Sequence, residues 1–491
     1  MFRTIADCAA GRVTVNLLPD DILLLIFHFY RVIEKLAGVD RAQRLSWGWD
    51  RLAHVCQRWR SIVFASPRFL DLALICGPRT PLELVDIWPA LPIIMRNTHD
   101  NPFPKDYNFD AAIVHRSRIC QIDLNPSRWN WQRLTSIMQE QFPALIHLSL
   151  DSNNYCDFAD VALPDGFLGG SAPCLRSLKF IFIAFPALPK FLLSATALVR
   201  LELWDIPQSG YFSPEAIVTG LAVLVNLKSL IIGFKSGSRH DQESRRPPPP
   251  SRTVLPALTN FRFQGVSGYL DELMVRIDVP LLDTFSITFI KQFIFDVSQL
   301  AEFMGRTTRF QALNEAHVDF DYDGVSVISL PPAWNLDEKP RFSITCRAVI
   351  RQPSNVVQIL TSLFPSIYTV EHLYMYGSEL FFELWQDPMQ WLGNFRPFNA
   401  VKNLYVAKEM AQHIALALQE LVGERATVVL PVLEGLYLEE LQPPGHVQEA
   451  VEQFVTARQL LGRPVVVSHW KTNYVDSELP LLLRLVPPSH Y

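Results

Sequence analysis

"LIHLSLDSN", residues 145 to 153, places Leu145, Leu148 and Leu150 at the spacing LxxLxL. Its last two leucines are two residues apart, so on an extended strand both point to one side, and the first sits at the turn into that strand. The same spacing recurs along the chain. It appears as Ile119, Ile122, Leu124; Leu175, Leu178, Phe180; Leu198, Leu201, Leu203; Leu227, Leu230, Ile232; Leu258, Phe261, Phe263; and Leu282, Phe285, Ile287. After a less regular stretch it returns as Val370, Leu373, Met375; Val401, Leu404, Val406; and Leu433, Leu436, Leu438. Successive starts lie mostly about 23 to 32 residues apart, the period of a stacked array. One such unit cannot bury its own apolar face, so each strand must pair with its neighbours.

Helical stretches fall between triplets: "RLTSIMQEQF", "SPEAIVTGLAVLV" and "KEMAQHIALALQELV". The last sets Met410, Ile414, Leu418 and Leu421 on one face. Strand followed by helix at this period resembles a leucine-rich repeat. The expected fold is α/β, a curved leucine-rich-repeat-like β/α solenoid over residues 72–491. The repeats are degenerate. The asparagine expected after LxxLxL stands at Asn153, whereas Ile206 fills the same slot elsewhere. The period fails between about 320 and 365, where "LPPAWNLDEKP" and "ITCRAVIRQP" point to an insertion or an irregular repeat. Residues 235–252, "KSGSRHDQESRRPPPPSR", read as a loop replacing a helix. A polyproline ligand is one reading of this loop, and a solvated insertion is the simpler one.

The first seventy residues follow another plan. In "LLPDDILLLIFHFY", residues 17 to 30, Pro19 suits a first helical turn and Asp20 and Asp21 suit the positive end of the helix dipole. The run Ile22 to Tyr30 is apolar nearly all round, broken by His28, so it needs cover on two sides. In "LAHVCQRWRSIVFASPRFL", Leu52, Val55, Cys56, Trp59, Ile62 and Val63 keep a helical period that Pro67 ends. That helix can cover one side of the first. A contiguous apolar patch left over marks a protein-binding surface.

These two stretches resemble the F-box, which begins Leu-Pro-x-Glu/Asp-Ile/Leu and closes on Val-Cys-x-x-Trp-Arg. The match spans residues 16–71, after a flexible N-terminal tail, 1–15. The link "RVIEKLAGVDRAQRLSWGWDR" is longer than is usual in the family, which leaves the middle helix unplaced. The resemblance implies docking onto a Skp-family adaptor and, through it, a cullin–RING ubiquitin ligase. It puts Leu18, Pro19, Ile22, Leu23, Ile26 and Phe27 in or beside the adaptor-facing surface. Val55, Cys56 and Trp59 would complete that surface or its supporting core. A helical cap on the repeats is the competing reading. With phrases such as "LPDGFLGGSAPCLRSL" and "RPPPPSRTVLPALTNFRFQGVS", nearly the whole chain is similar to a large group of F-box proteins from mushroom-forming (basidiomycete) fungi. Such a protein is a non-catalytic, substrate-recruiting subunit of an SCF-type ligase, with an unknown protein substrate. The alternative is a leucine-rich-repeat scaffold without ubiquitin transfer.

Composition is that of a soluble globular chain. The 491 residues are 49% hydrophobic with net charge −5, a balance that gives no reason to expect nucleic acid as a partner. The seven scattered cysteines contain no CxxC pair and read as reduced thiols of the cytosol or nucleus. The greasiest run, "FIFIAFPALPKFLL", is interrupted by Pro186, Pro189 and Lys190, so no membrane span is expected. The N-terminus lacks the apolar core of a signal peptide. No phosphate loop, HExxH or GxSxG motif occurs. His54 and Cys56 fall inside the helical pattern. Asp319, Asp321 and Asp323 lack the final glutamate of a calcium loop, where Leu330 stands instead, and read as a solvated turn. "FLGGSAP" is weak evidence for a phosphate cradle. No cofactor or metal is expected.

Overall fold

The computed structural model describes residues 15–36, 49–76, 90–96, 112–125, 128–152, 162–184, 190–235, 251–292, 298–310, 314–321, 324–330, 341–347, 370–377, 388–421, 425, 427–439 and 445–470. It is a mixed α/β fold of two compact units, Met1–Phe212 and Ser213–Tyr491. Asn153, Asp323 and most of the proline-rich loop lie outside the described residues.

Among the described residues, the first unit opens with three α-helices, α1 (Asp20–Leu36), α2 (Trp49–Val55) and α3 (Gln57–Ala65). The single helix expected over Leu52–Val63 is broken at Cys56. Its backbone is extended (φ −160°, ψ 169°), and its Sγ accepts a hydrogen bond from the Trp59 amide at 3.5 Å. Cys56 thus caps α3, the role usually taken by a small polar residue. The break turns Val55 off the apolar stripe and into solvent. Trp49, in the link that the motif left unplaced, is fully buried and donates its indole N–H to the Ala73 carbonyl at 3.1 Å. Leu23, Phe27, Leu52, Ala53, Ile62 and Val63 complete the small core.

Strands β1 (Leu74–Cys76), β2 (Ile93–Arg96), β3 (Ile119–Leu124), β4 (His147–Asp151), β5 (Ser177–Ile181) and β6 (Arg200–Ile206) follow in one parallel ladder. The triplet leucines align: Leu148 pairs with Leu178 and Leu178 with Leu201, all buried. The alternate positions carry polar groups, with Gln121, His147, Ser177 and Arg200 in one row. Helix α4 (Arg128–Ile137) starts and ends earlier than "RLTSIMQEQF" suggested.

The second unit begins with α5 (Pro214–Leu221), capped by the Ser213 hydroxyl, which accepts from the Ala216 amide at 3.2 Å. The strands that follow are β7 (Ser229–Phe234), β8 (Thr253–Val254), β9 (Asn260–Gly265), β10 (Ile277–Asp278) and β11 (Thr284–Ile290). After them come β12 (Glu315–Asp321), β13 (Gly324–Leu330), β14 (Arg341–Arg347), β15 (His372–Gly377), β16 (Asn403–Val406), β17 (Gly435–Leu438) and β18 (Val466–His469). The sheet order is β7-β9-β11-β14-β13-β12-β15-β16-β17-β18, with β8 and β10 paired apart. Helices α6 (Ser267–Arg276), α7 (Ser298–Arg306), α8 (Pro388–Phe395), α9 (Lys408–Gln419) and α10 (Gly445–Leu460) fill connections. Met410, Ile414, Leu418 and Leu421 are buried as their spacing predicted.

The irregular stretch is a meander. Strand β13 runs antiparallel to both β12 and β14, whereas β14 is parallel to β11 and β12 to β15. The leucine period fails there because β12, β13 and β14 pair antiparallel in chain order, an arrangement that requires no crossover between them. Gly324 opens β13 where its backbone passes the Cys346 carbonyl; a Cβ there would lie 1.9 Å from that oxygen.

Candidate protein-interaction surfaces

On α1, residues 22, 26, 29 and 33 recur at helical spacing, and all four are exposed hydrophobics: Ile22, Ile26 (45%), Phe29 (63%) and Ile33 (64%). The opposite face holds Leu23 and Phe27, both fully buried; Phe27 packs against Trp59 with ring centroids 4.7 Å apart. The helix is therefore covered on one side and open on the other. Arg58 ties its start to α3: its guanidinium donates to the Leu18 carbonyl at 2.5 Å and to Asp20 at 2.6 and 2.9 Å. His28 packs on Phe69 at 4.9 Å. A groove lined by Asp20, Leu24, Arg58, Ser61 and Ile62 runs between the two helices.

The residues singled out from the sequence divide between surface and support. Pro19, Ile22, Ile26 and Val55 are exposed, and Leu18 and Cys56 are half-buried. Leu23 and Phe27 lie beneath the surface, and Trp59 is half-buried between core and rim. The sequence reading missed Phe29 and Ile33, although extending the same helical count by two turns reaches both.

The second surface lies on the sheet of the second unit, on the side away from the buried triplet residues. His317, Tyr374, Tyr405 and Tyr437 stand on β12, β15, β16 and β17 in direct register. Their rings stack in series, with centroids 4.3, 4.2 and 4.5 Å apart and planes 3°, 10° and 13° from parallel. Trp470, just after β18, crosses the row. Its ring lies 65° to 74° from the planes of Tyr374, Tyr376 and Tyr405, and its indole N–H donates to the Val406 carbonyl at 3.2 Å. Gly435 makes room for the row, because a Cβ there would lie 2.7 Å from the Tyr437 ring and 2.6 Å from the Asn403 side-chain oxygen. The signal was present in the sequence: each tyrosine is the middle residue of the LxL that closes its triplet, and so must face away from the core.

Burial shapes the electrostatics of this row. His317 is 2% exposed, and loss of water pushes its pKa down to about 4; its Nδ1 lies 3.2 Å from the Tyr376 hydroxyl. Burial and then the neighbouring Tyr437 raise the Tyr405 phenol, with Glu315 contributing in the same direction. Where the strands begin, Glu371 and Lys402 form an ion pair at 2.8 Å; the hydrogen bond from Lys402 holds the Glu371 carboxyl below its ordinary range.

Among the described residues, no group of three or more His, Cys, Asp or Glu could hold a metal ion. Burial raises the Cys76 thiol to about 11 and raises Cys346 as well, which keeps these sulfurs protonated and poor nucleophiles. Leu168, Gly169 and Gly170 of "FLGGSAP" form a left-handed turn. Among the described residues, no helix is long and apolar enough to cross a membrane.

No family model and no curated protein matches the chain. Among solved structures, the leucine-rich repeat-containing protein LegL7 from Legionella pneumophila is similar over 71% of this chain and 92% of its own, at 12% identity and a TM-score of 0.24.

Proposed function

We propose that this chain is a substrate-recruiting subunit of a ubiquitin ligase, with α1 to α3 acting as an F-box that docks on a Skp-family adaptor. The observation that carries this reading is the open face of α1: four large hydrophobic side chains in one row, held out by a well-packed core. A row of that kind is what a partner's apolar groove recognises at i, i+3, i+4 and i+7 spacing. The residue match Leu18-Pro19-x-Asp21-Ile22 and Val55-Cys56-x-x-Trp59-Arg60 adds the choice of partner. In this role the chain performs no chemistry. It raises the local concentration of a substrate lysine near a charged conjugating enzyme, as tethering does.

Co-purification with a Skp-family adaptor tests the docking. The full chain is expected to bind, and Ile26→Asp to weaken binding at least tenfold while the melting curve is unchanged. Retention within threefold removes the adaptor reading. A scaffold without ubiquitin transfer is the second reading, favoured by an aromatic sheet face that would serve any partner. Reconstituted ubiquitination of a bound protein separates the two.

A further inference from the structure

The end strands β1 and β18 are finished differently. Strand β1 ends the ladder of the first unit; its Leu74 and Cys76 are buried, and the Trp49 indole is bonded beside them at Ala73. Strand β18 ends the ladder of the second unit and, among the described residues, pairs along one edge only, with β17. Val467 is in register with Leu436, a core residue with no exposure, yet Val467 is 39% exposed. Val466 and His469 are exposed too, as are Leu460 and Leu461 at the end of α10. The amides of Val466 and Trp470 donate inward, to the Glu434 and Leu438 carbonyls at 2.8 and 3.1 Å. Alternation along the strand aims the Val467 and His469 amides out of the open edge. An apolar edge with outward donors is a template for further pairing, and stacked arrays are closed at their ends by a capping element.

The sequence supplies the occupant. Residues 471–491 lie outside the described residues and contain "LPLLLRLV", 479 to 486. Pro480 and Pro487 bound six residues, 481–486, each of which keeps its backbone donor. Leu481, Leu483 and Leu485 alternate with Leu482, Arg484 and Val486. Ten residues, 471–480, separate Trp470 from Leu481. That is fewer than the dozen or more a parallel crossover takes, and ample for an antiparallel return. Fully extended they span about 33 Å, over twice the ~13 Å of a four-residue strand. A segment tethered so closely is present at roughly millimolar effective concentration. We infer that residues 481–486 return antiparallel along the open edge of β18 and cap the array. Arg484 belongs on the solvent side, which turns Leu481, Leu483 and Leu485 toward Val467 and the core. The Val467 and His469 amides then donate to the returning strand. The inference stands apart from the adaptor reading, which concerns α1.

Hydrogen exchange of the full chain, read amide by amide, tests the cap. In the wild type the outward amides of Val467 and His469 should be protected to within about tenfold of the inward amide of Val466. Leu483→Asp with Leu485→Asp should speed exchange at Val467 and His469 at least tenfold and leave Val466 unchanged. Free exchange of both outward amides in the wild type, or protection that survives the double substitution, overturns the inference. If the double substitution unravels the last repeat, so that exchange at Val466 rises too, photocrosslinking decides. A benzophenone side chain in place of Leu483 should join residues 460–470 of the same chain. Absence of that crosslink overturns the inference, and so does a crosslink joining two chains, which would assign the edge to a second copy.

Discussion

The open face of α1 and the tyrosine row both show large side chains to solvent, in opposite ways. Ile22, Ile26, Phe29 and Ile33 project from a helix whose packing is complete beneath them. The tyrosines pack on one another, each inner ring holding two neighbours at 4.2 to 4.5 Å. The first surface can be altered without loss to the fold, whereas the second is part of what holds strand to strand. Exposure alone therefore does not say whether a residue is available for a partner; what its other side touches does.

The sharpest test of that difference lies just below the first surface. Phe27→Ala should cost about 3–5 kcal/mol, because it empties a fully buried site against Trp59. Hydrogen exchange across α1 would rise sharply; unchanged protection would mean that the three helices are not held by this core. Next in size is the buried end of the aromatic row. His317 prefers the neutral form when folded, with a pKa of about 4 against about 6.5 when unfolded. The unfolded chain takes up this proton first, so its contribution to stability is full above about pH 6.5 and is lost as pH falls to about 4. The loss is about 3 kcal/mol. Denaturant titrations of wild type and His317→Gln across that window should diverge by this amount, and parallel curves would refute the assignment.

Tyr405→Ala removes two stacked contacts and should cost about 1–3 kcal/mol, of which Tyr405→Phe should recover most. A neutral Tyr405→Ala would make the row a passive surface like that of α1. The smallest effect is expected for Ile33→Ser, within about 0.5 kcal/mol of wild type. A larger loss in thermal melts would show that the exposed row is part of the fold, erasing the contrast.

The LxxLxL spacing predicted nearly all of the parallel ladder, because strands stacked at a fixed period impose two buried positions per repeat. Each leucine and its substitutes from Leu145 to Leu438 is buried; of the ten triplets, only Leu124 is half-exposed. Strands β1, β2 and β18 escaped because "LIC", "IIMR" and "VVSH" lack the leading apolar residue. The meander escaped because an antiparallel strand needs no crossover and so leaves no period. At the N-terminus the apolar pattern located both helical stretches. It could not foresee the break at Cys56, where a thiol takes the place of a hydroxyl as a helix cap. Trp49 was invisible as well, since its burial depends on a partner carbonyl at Ala73 rather than on any local spacing. The aromatic row was legible only across repeats: Tyr374, Tyr405 and Tyr437 are unremarkable until aligned.

The meander also bears on how the second unit comes to be assembled. Elsewhere in its sheet, each strand must wait for a crossover before meeting its neighbour, and closing such loops is entropically slow. Strands β12 and β13 are separated by two residues, 322–323, and meet along seven registered pairs. That hairpin is the cheapest seed in the unit. From it β14 can recruit β11 on one flank while β12 recruits β15 on the other. A stacked array zips outward from wherever it first closes, so the stretch that breaks the repeat is the place from which the repeats can grow in both directions.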